Sequence, residues 1–235
     1  RERPRTLPRA MRLSLLVAGA APVGCSGALS TLDPAGPQAR QIADLGWLMF
    51  ALASAVFALV VALIGWGVWR ACRRDDDARP RVGSLALVIG GGVVLPIAVI
   101  ALLWVVSLQV MATLAVPPRP PAVEIEVTGR QFQYEVVYPE RAITLRNEMR
   151  IPVGQPVLVR LHSIDVIHSF WVPRLGGKID LIPGSVNEMW LEAAEPGTYE
   201  GRCAEFCGIG HTEMRLVVVA LPGAEFDAWL AQAAP

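Results

Sequence analysis

Near its C-terminal end the chain places two thiols, an imidazole and a thioether in one short segment, Cys203-Ala-Glu-Phe-Cys207-Gly-Ile-Gly-His211-Thr-Glu-Met214. A second imidazole, His168, follows Asp165-Val166-Ile167. Soft sulfur together with imidazole is a donor set that suits copper. Two cysteines rather than one suit a pair of copper ions that share both thiolates. His168 would then bind one ion and His211 the other. Met214 would complete one shell, and the backbone carbonyl of Glu205, between the cysteines, would serve the other ion. Bridging thiolates spread one unpaired electron over two metals, so little moves on reduction and one-electron transfer is fast. No coordination position is left open for a substrate.

Other readings of the same residues compete. A structural disulfide suits an extracellular setting, but leaves His168, His211 and Met214 without a role. Zinc accepts cysteine and histidine but seldom a thioether. A single type-1 copper needs one cysteine with two histidines and a distant methionine, which leaves the second cysteine surplus. Cys203, Cys207, His211 and Met214 also fall on one face of a hypothetical helix. Gly208 and Gly210 oppose that, since two glycines cost roughly 2 kcal/mol against alanine. A loop between two strands fits better, because glycine lets the backbone close around a metal.

The elements that must hold such a loop are β-strands. Val123–Val127, Phe132–Val136, Val157–Leu161, Val186–Leu191 and Met214–Leu221 alternate with period two. Pro152-Val-Gly154, Pro183-Gly184 and Pro196-Gly197 punctuate them as turns. Many short strands of this kind predict an all-β sandwich or barrel over 122–222. Phe226, Trp229 and Leu230 at helical spacing predict a short amphipathic helix over 223–235.

The first half of the chain is different. Gly46–Trp69 and Ser84–Leu114 are uncharged stretches of 24 and 31 residues, each long enough as a helix to cross a lipid bilayer. Trp47, Trp66 and Trp69 cluster at the ends of the first, where indoles favour the interface. Gly90-Gly91-Gly92 and Pro96 lie inside the second and are tolerated in lipid. Between the spans, residues 70–83 carry Arg70, Arg73, Arg74, Arg79 and Arg81. A short Arg-rich loop stays cytoplasmic, which puts both flanking segments outside. Cys72 is then a thiol in a reducing compartment. Residues 115–121 include Pro117-Pro118-Arg119-Pro120-Pro121, a stiff linker.

Upstream, the Arg-rich start and the short apolar run Leu13–Ala21 predict a signal peptide over 1–24, with Met11 a candidate start. Gly24-Cys25 makes Cys25 a lipidation candidate, with Ala18-Gly19-Ala20 a competing cleavage site. Residues 25–45, with Pro34 and Pro37, read as an extended linker. Net charge is zero over 235 residues, of which 53% are hydrophobic. Residues 1–121 hold 12 Arg against 6 acids, and 122–235 hold 9 basic residues against 15 acids, so the two halves meet different surroundings. There is no Cys-x-x-Cys-His for a covalently attached haem, no internal repeat and no nucleic-acid signature.

Three motifs together closely resemble cytochrome c oxidase subunit II of the bacterial type: Asp165-Val-Ile-His168-Ser-Phe-Trp-Val-Pro173, Leu175-Gly-Gly-Lys-Ile-Asp180-Leu-Ile-Pro-Gly184, and the Cys203–Met214 segment. The resemblance covers nearly the whole mature chain. It implies two N-terminal transmembrane helices and an outward-facing, cupredoxin-like Greek-key domain in the bacterial inner membrane. It implies a binuclear copper centre, CuA, that takes electrons from cytochrome c. Haem in subunit I receives them, reducing dioxygen to water and pumping protons, with subunit III a further partner. It also implies that the Glu205 side chain helps bind Mg2+ at the subunit I interface, where Asp180 contributes. Family members without the cysteines oxidise quinols; this chain keeps both.

Two departures stand out. The family receives electrons at an aromatic stretch built on tryptophan, and here Gln131-Phe132-Gln133-Tyr134 puts Phe132 at that position. Phe132 and Tyr134 are candidates for the electron-accepting surface, with plain strand core as the competing reading. Many members also carry a glutamate seven residues before a proline in the second helix, serving a proton channel; here that position is Ile89. Asp165 is a docking candidate, and the acidic domain would attract a basic cytochrome c. His162, Trp171 and Trp190 read as packing residues. A membrane-anchored copper carrier also uses Cys-x3-Cys with a distant histidine. It does so on a thioredoxin-like fold, usually with proline after the second cysteine, where this chain has Gly208. The copper loop of nitrous oxide reductase is similar, but belongs with a large propeller domain.

Overall fold

The computed structural model describes residues 26–73 and 84–233. The signal-peptide segment, Cys25, and most of the Arg-rich loop lie outside the described residues. Helix α1 spans Pro37–Cys72, with Pro37 in its first turn, where a fixed φ and a missing N–H cost nothing. At 36 residues it is about 54 Å long. A second helical rod is built from α2 (Ser84–Ile89), a π-turn (Gly90–Val94) and α3 (Leu95–Ala115). Pro96 explains the π-turn. Its ring removes an N–H and crowds the carbonyl four residues back, so the ladder slips and Leu95 N bonds instead to Gly90 O. Both rods are long and apolar enough to cross a membrane. Their large side chains, Phe57 and Trp104 among them, are exposed. The Arg70 guanidinium lies 5.3 Å over Trp66 and that of Arg73 4.5 Å over Trp69, a charged and amphipathic girdle at one end.

The sequence expectation of an extended linker over 25–45 is corrected. Helix α1 begins at Pro37, and its first turns are packed against the β-domain, with Gln38, Ala39 and Ala43 buried. Just before it, Ala35 N bonds to Arg174 O (2.7 Å) and Ala194 N to Ala35 O (2.8 Å). Gly36 allows this approach, since a Cβ there would lie 2.3 Å from Glu192 O. Small residues at 35, 36, 39 and 43 let the backbone seat where a large side chain would not fit.

The β-domain runs β1 (Glu124–Arg130), β2 (Gln133–Tyr138), β3 (Ile143–Arg146), β4 (Glu148–Pro152) and β5 (Val157–Ser163). It continues with β6 (His168–Phe170), β7 (Ile179–Leu181), β8 (Asn187–Leu191), β9 (Gly197–Arg202) and β10 (Arg215–Leu221). One sheet has the order β3-β2-β1-β5-β8, a second β4-β10-β9, and β6-β7 form a small third. The β1–β5 and β4–β10 pairs are parallel and the others antiparallel. Period-two alternation sends Val157, Val159 and Leu161 of β5 inward, while Arg160 and His162 face out. Leu216, Val218 and Ala220 of β10 meet them from the opposite sheet, with Tyr138, Met149 and Ile151 in the same core. Helix α4 (Gly223–Ala233) closes one side, burying Phe226 and setting Trp229 edge-on to Tyr138 at 5.2 Å. The result is a cupredoxin-like β-sandwich behind two N-terminal apolar helices. Trp190 ties the two parts, its Nε1 donating to Leu114 O at 2.8 Å.

Candidate metal centre

The Cys203–Met214 segment joins β9 to β10, which are antiparallel neighbours with Arg202 opposite Arg215. The strand ladder thus closes the loop at its base, and Cys203 N bonds to Met214 O across it (3.1 Å). Within the loop, His211 N bonds to Gly208 O, and His211–Glu213 form a single 3-10 turn. This turn swings the His211 ring back toward Cys207.

Five side-chain donors and one carbonyl oxygen converge. Cys203 Sγ and Cys207 Sγ are 3.9 Å apart and both are free thiols; a disulfide would hold them at about 2.0 Å. His168, Cys203 and Cys207 are buried, with ligand atoms within 4.8 Å of one another. His211 Nδ1 lies 3.7 Å from Cys207 Sγ, and Met214 Sδ lies 3.9 Å from it. The Glu205 carbonyl is 3.1 Å from Cys203 Sγ. Burial first, then the neighbouring Cys203 sulfur, push the Cys207 thiol up to about 11. A proton is thus hard to lose there unless a cation replaces it.

His168 carries the test of fit. Its ring is fully buried, and Nε2 is held by Asp165 Oδ1 at 2.8 Å. The other nitrogen, Nδ1, is buried with no hydrogen-bond partner among the described residues. A buried imidazole nitrogen left without a proton partner costs desolvation energy, and a metal ion between it and the sulfurs removes that cost. The donor set is soft and imidazole-rich, so the residues fit copper.

Asp165 is more engaged than a docking carboxylate. Oδ2 accepts from Gln131 N (2.7 Å), and Oδ1 from Val166 N (2.6 Å) besides its contact with His168. Burial works to raise its pKa, but the bonds from Gln131, His168 and Val166 outweigh it and hold it at about 2. Phe132 lies in the turn between β1 and β2, partly exposed, with its ring beneath the metal loop. A Cβ on Gly210 would fall 2.5 Å from Phe132 Cδ2. Tyr134 does not reach the surface. It is fully buried, its hydroxyl donates to Ser169 O at 2.6 Å, and burial followed by Cys203 raises its pKa strongly. A surface role for Tyr134 is therefore corrected to a core one: β2 begins at Gln133, and alternation turns Tyr134 inward.

The Glu205 carboxylate pairs with Lys178 Nζ, which also reaches Asp180 Oδ1 at 3.3 Å. Among the named tryptophans, Trp190 is buried and Trp171 half-buried. His162 stands outward, 3.0 Å from Thr128 Oγ1. Sequence reasoning missed Gln131, whose Nε2 donates to Cys207 O at 2.5 Å. A polar residue at a hairpin tip carries no periodic signal that would have marked it.

Comparison with known proteins places the chain in a family. A family model described as cytochrome c oxidase subunit II, periplasmic domain, matches residues 135–221. Cytochrome c oxidase subunit 2 of Alkalihalophilus pseudofirmus is 40% identical over 218 residues, covering 88% of this chain and 63% of that protein. The chain thus spans just under two thirds of that relative's length. Quinol oxidase subunit 2 of Bacillus cereus is 34% identical over 214 residues, covering 88% of this chain and 74% of that protein. Among solved structures, the periplasmic domain of subunit II of cytochrome oxidase of Bradyrhizobium japonicum is 32% identical, with a TM-score of 0.47 over 49% of this chain and 95% of that one. With a relative of 34% identity covered over nearly three quarters of its length, and the family model matched across the strands that carry the cysteine loop, the chain belongs to the cytochrome c oxidase subunit II family.

Proposed function

We propose that this chain is the electron-transfer subunit of a membrane haem-copper oxidase. It takes electrons one at a time from a cytochrome c and passes them to haem in subunit I. Dioxygen is reduced to water there, with coupled proton pumping. His168, Cys203, Cys207, His211 and Met214, with the Glu205 carbonyl, would hold two copper ions in the CuA arrangement. Copper bound in this way supplies reversible one-electron exchange with little rearrangement. The chain's own part is to keep the donors fixed and dry: Met214, Cys203, Cys207 and His168 are all buried. The observation that carries the reading is that His168, with a buried Nδ1 unpartnered among the described residues, has a ring nitrogen within 4.8 Å of a pair of free, buried thiols. The paired cysteines favour a cytochrome c over a quinol as donor.

The α1 and α3 rods would anchor the subunit beside subunits I and III in a bacterial inner membrane, with the β-domain on the outer side. Magnesium at Glu205 would need the Lys178 ammonium to turn away, so occupancy of that site would depend on what subunit I brings to it.

The test is metal analysis and copper resonance spectroscopy of the purified full chain, followed by rapid mixing with reduced cytochrome c. Two coppers per chain, a mixed-valence seven-line spectrum and fast reduction that slows with added salt are expected. One copper with a four-line spectrum, or bound zinc, would overturn the reading.

A further inference from the structure

The turn between β1 and β2 places one residue against both halves of the metal site. Gln131 main-chain N donates to Asp165 Oδ2 at 2.7 Å, and the same carboxylate holds His168 Nε2 through Oδ1 at 2.8 Å. The Gln131 side chain reaches the other way, Nε2 donating to Cys207 O at 2.5 Å. Its neighbour in the turn, Phe132, sits beneath Gly208 and Gly210, whose missing Cβ atoms would lie 3.2 and 2.5 Å from the ring. Gly208 itself has φ of +129°, so the loop lies low over the turn in a conformation that favours glycine. Among the described residues, no strand hydrogen bond joins the His168 segment, in the β6–β7 pair, to the Cys207 loop, between β9 and β10. The nearest ladder contact is the single bridge between Trp171 and Arg202. Gln131 is therefore a strut from one ligand segment to the other.

We infer that Gln131 is a positioning residue of the metal centre, fixing the Cys207 main chain relative to the His168 imidazole. The inference rests on the copper reading above and deepens it. A shift of Cys207 against His168 changes how evenly the thiolates share an unpaired electron between the two metal positions. A strut that only supported folding would alter stability and leave that sharing untouched.

The test compares the full-length chain with Gln131→Met, near in size but without the donor, and Gln131→Glu, which sets a carboxylate against the Cys207 carbonyl. Gln155→Met, at an exposed turn far from the site, is the control. Copper-loaded proteins are read for copper content, reduction potential and hyperfine pattern. Metal-free proteins are read for the iodoacetamide alkylation rate of Cys203 and Cys207, followed peptide by peptide. Expected is an altered hyperfine pattern and potential in the Met variant, more so in the Glu variant. Alkylation of Cys207 should be about fivefold faster, as loss of one neutral hydrogen bond implies. The control should match the parent. Parent-like spectra, potentials and alkylation rates in both variants would overturn the inference. A variant that takes up no copper is still decided by its alkylation rate. Faster alkylation in variants of a parent that shows no mixed-valence signal would uphold the strut and defeat the copper reading instead.

Discussion

His168, in a cluster with the thiols of Cys203 and Cys207, gives one ring nitrogen to Asp165 at 2.8 Å and keeps the other buried and, among the described residues, unpartnered. The carboxylate chooses the tautomer: with the proton on Nε2, the lone pair on Nδ1 is left free for a metal ion. Asp165→Ala removes that choice. Outer partners of metal-bound histidines commonly govern affinity by about 10- to 100-fold. Competition with a copper chelator should show a loss of that order, and Asp165→Asn, which keeps an acceptor oxygen, should recover much of it. Equal affinity in the Ala variant would show that the contact does not orient the ring.

The packing of Gly210 on Phe132 makes a second prediction. A Cβ at 210 would lie 2.5 Å from Phe132 Cδ2, so Gly210→Ala overfills a tight contact at a cost of about 1–3 kcal/mol. Thermal unfolding of the metal-free chain should show the loss. Phe132→Ala combined with Gly210→Ala should be milder than the sum of the two, because the clash goes with the ring. Strict additivity would mean that the two positions do not meet.

The candidate donors stood out in the sequence because soft side chains at such close spacing are uncommon, and because β10 was visible as a strand after Gly208 and Gly210; β9, at Gly197–Arg202, was read only as the turn Pro196-Gly197 that opens it. The sandwich was readable from alternation, as in Val157, Val159 and Leu161. What escaped was set by tertiary contact. Pro37 looked like part of a linker, but it opens α1, whose first turns are helical because Ala39 and Ala43 find the β-domain. Tyr134 was grouped with Phe132 by the resemblance to an aromatic stretch, yet the turn at Gln131 leaves one ring beneath the loop and sends the other into the core. Gln131 itself joins residues far apart in sequence, and no local pattern reports such a bond.

The tyrosines give a pH prediction. The chain has three, Tyr134, Tyr138 and Tyr199, and all are raised. Burial leads in each case, most strongly for Tyr134 and Tyr138. Below the ordinary phenol value near 10.0, folded and unfolded chains are equally protonated and nothing is lost. Above it the unfolded chain releases protons that the folded one keeps, so stability falls as pH rises. Absorbance at the tyrosinate band should therefore stay low in the native domain past pH 10 and rise abruptly with alkaline unfolding. A smooth titration of all three rings in a folded domain would contradict their burial.

The seat of α1 on the β-domain is the last relation open to test. Gly36 passes so close to Glu192 that a Cβ would lie 2.3 Å from its carbonyl oxygen, and backbone cannot yield as a side chain tip can. The two bonds of Ala35, to Arg174 and Ala194, depend on that approach, each worth about 1 kcal/mol. Gly36→Ala should lift the strap and loosen the buried first turns of α1. The Trp190–Leu114 bond and the Arg119–Glu192 ion pair at 3.0 Å would still hold the second rod. Limited proteolysis of the detergent-solubilised chain should then open cleavage near residues 30–45, while 116–121 stays protected. Trp190→Phe should give the reverse pattern. Cleavage at both places in both variants would mean that the strap and the second rod release the domain together, as one cooperative unit.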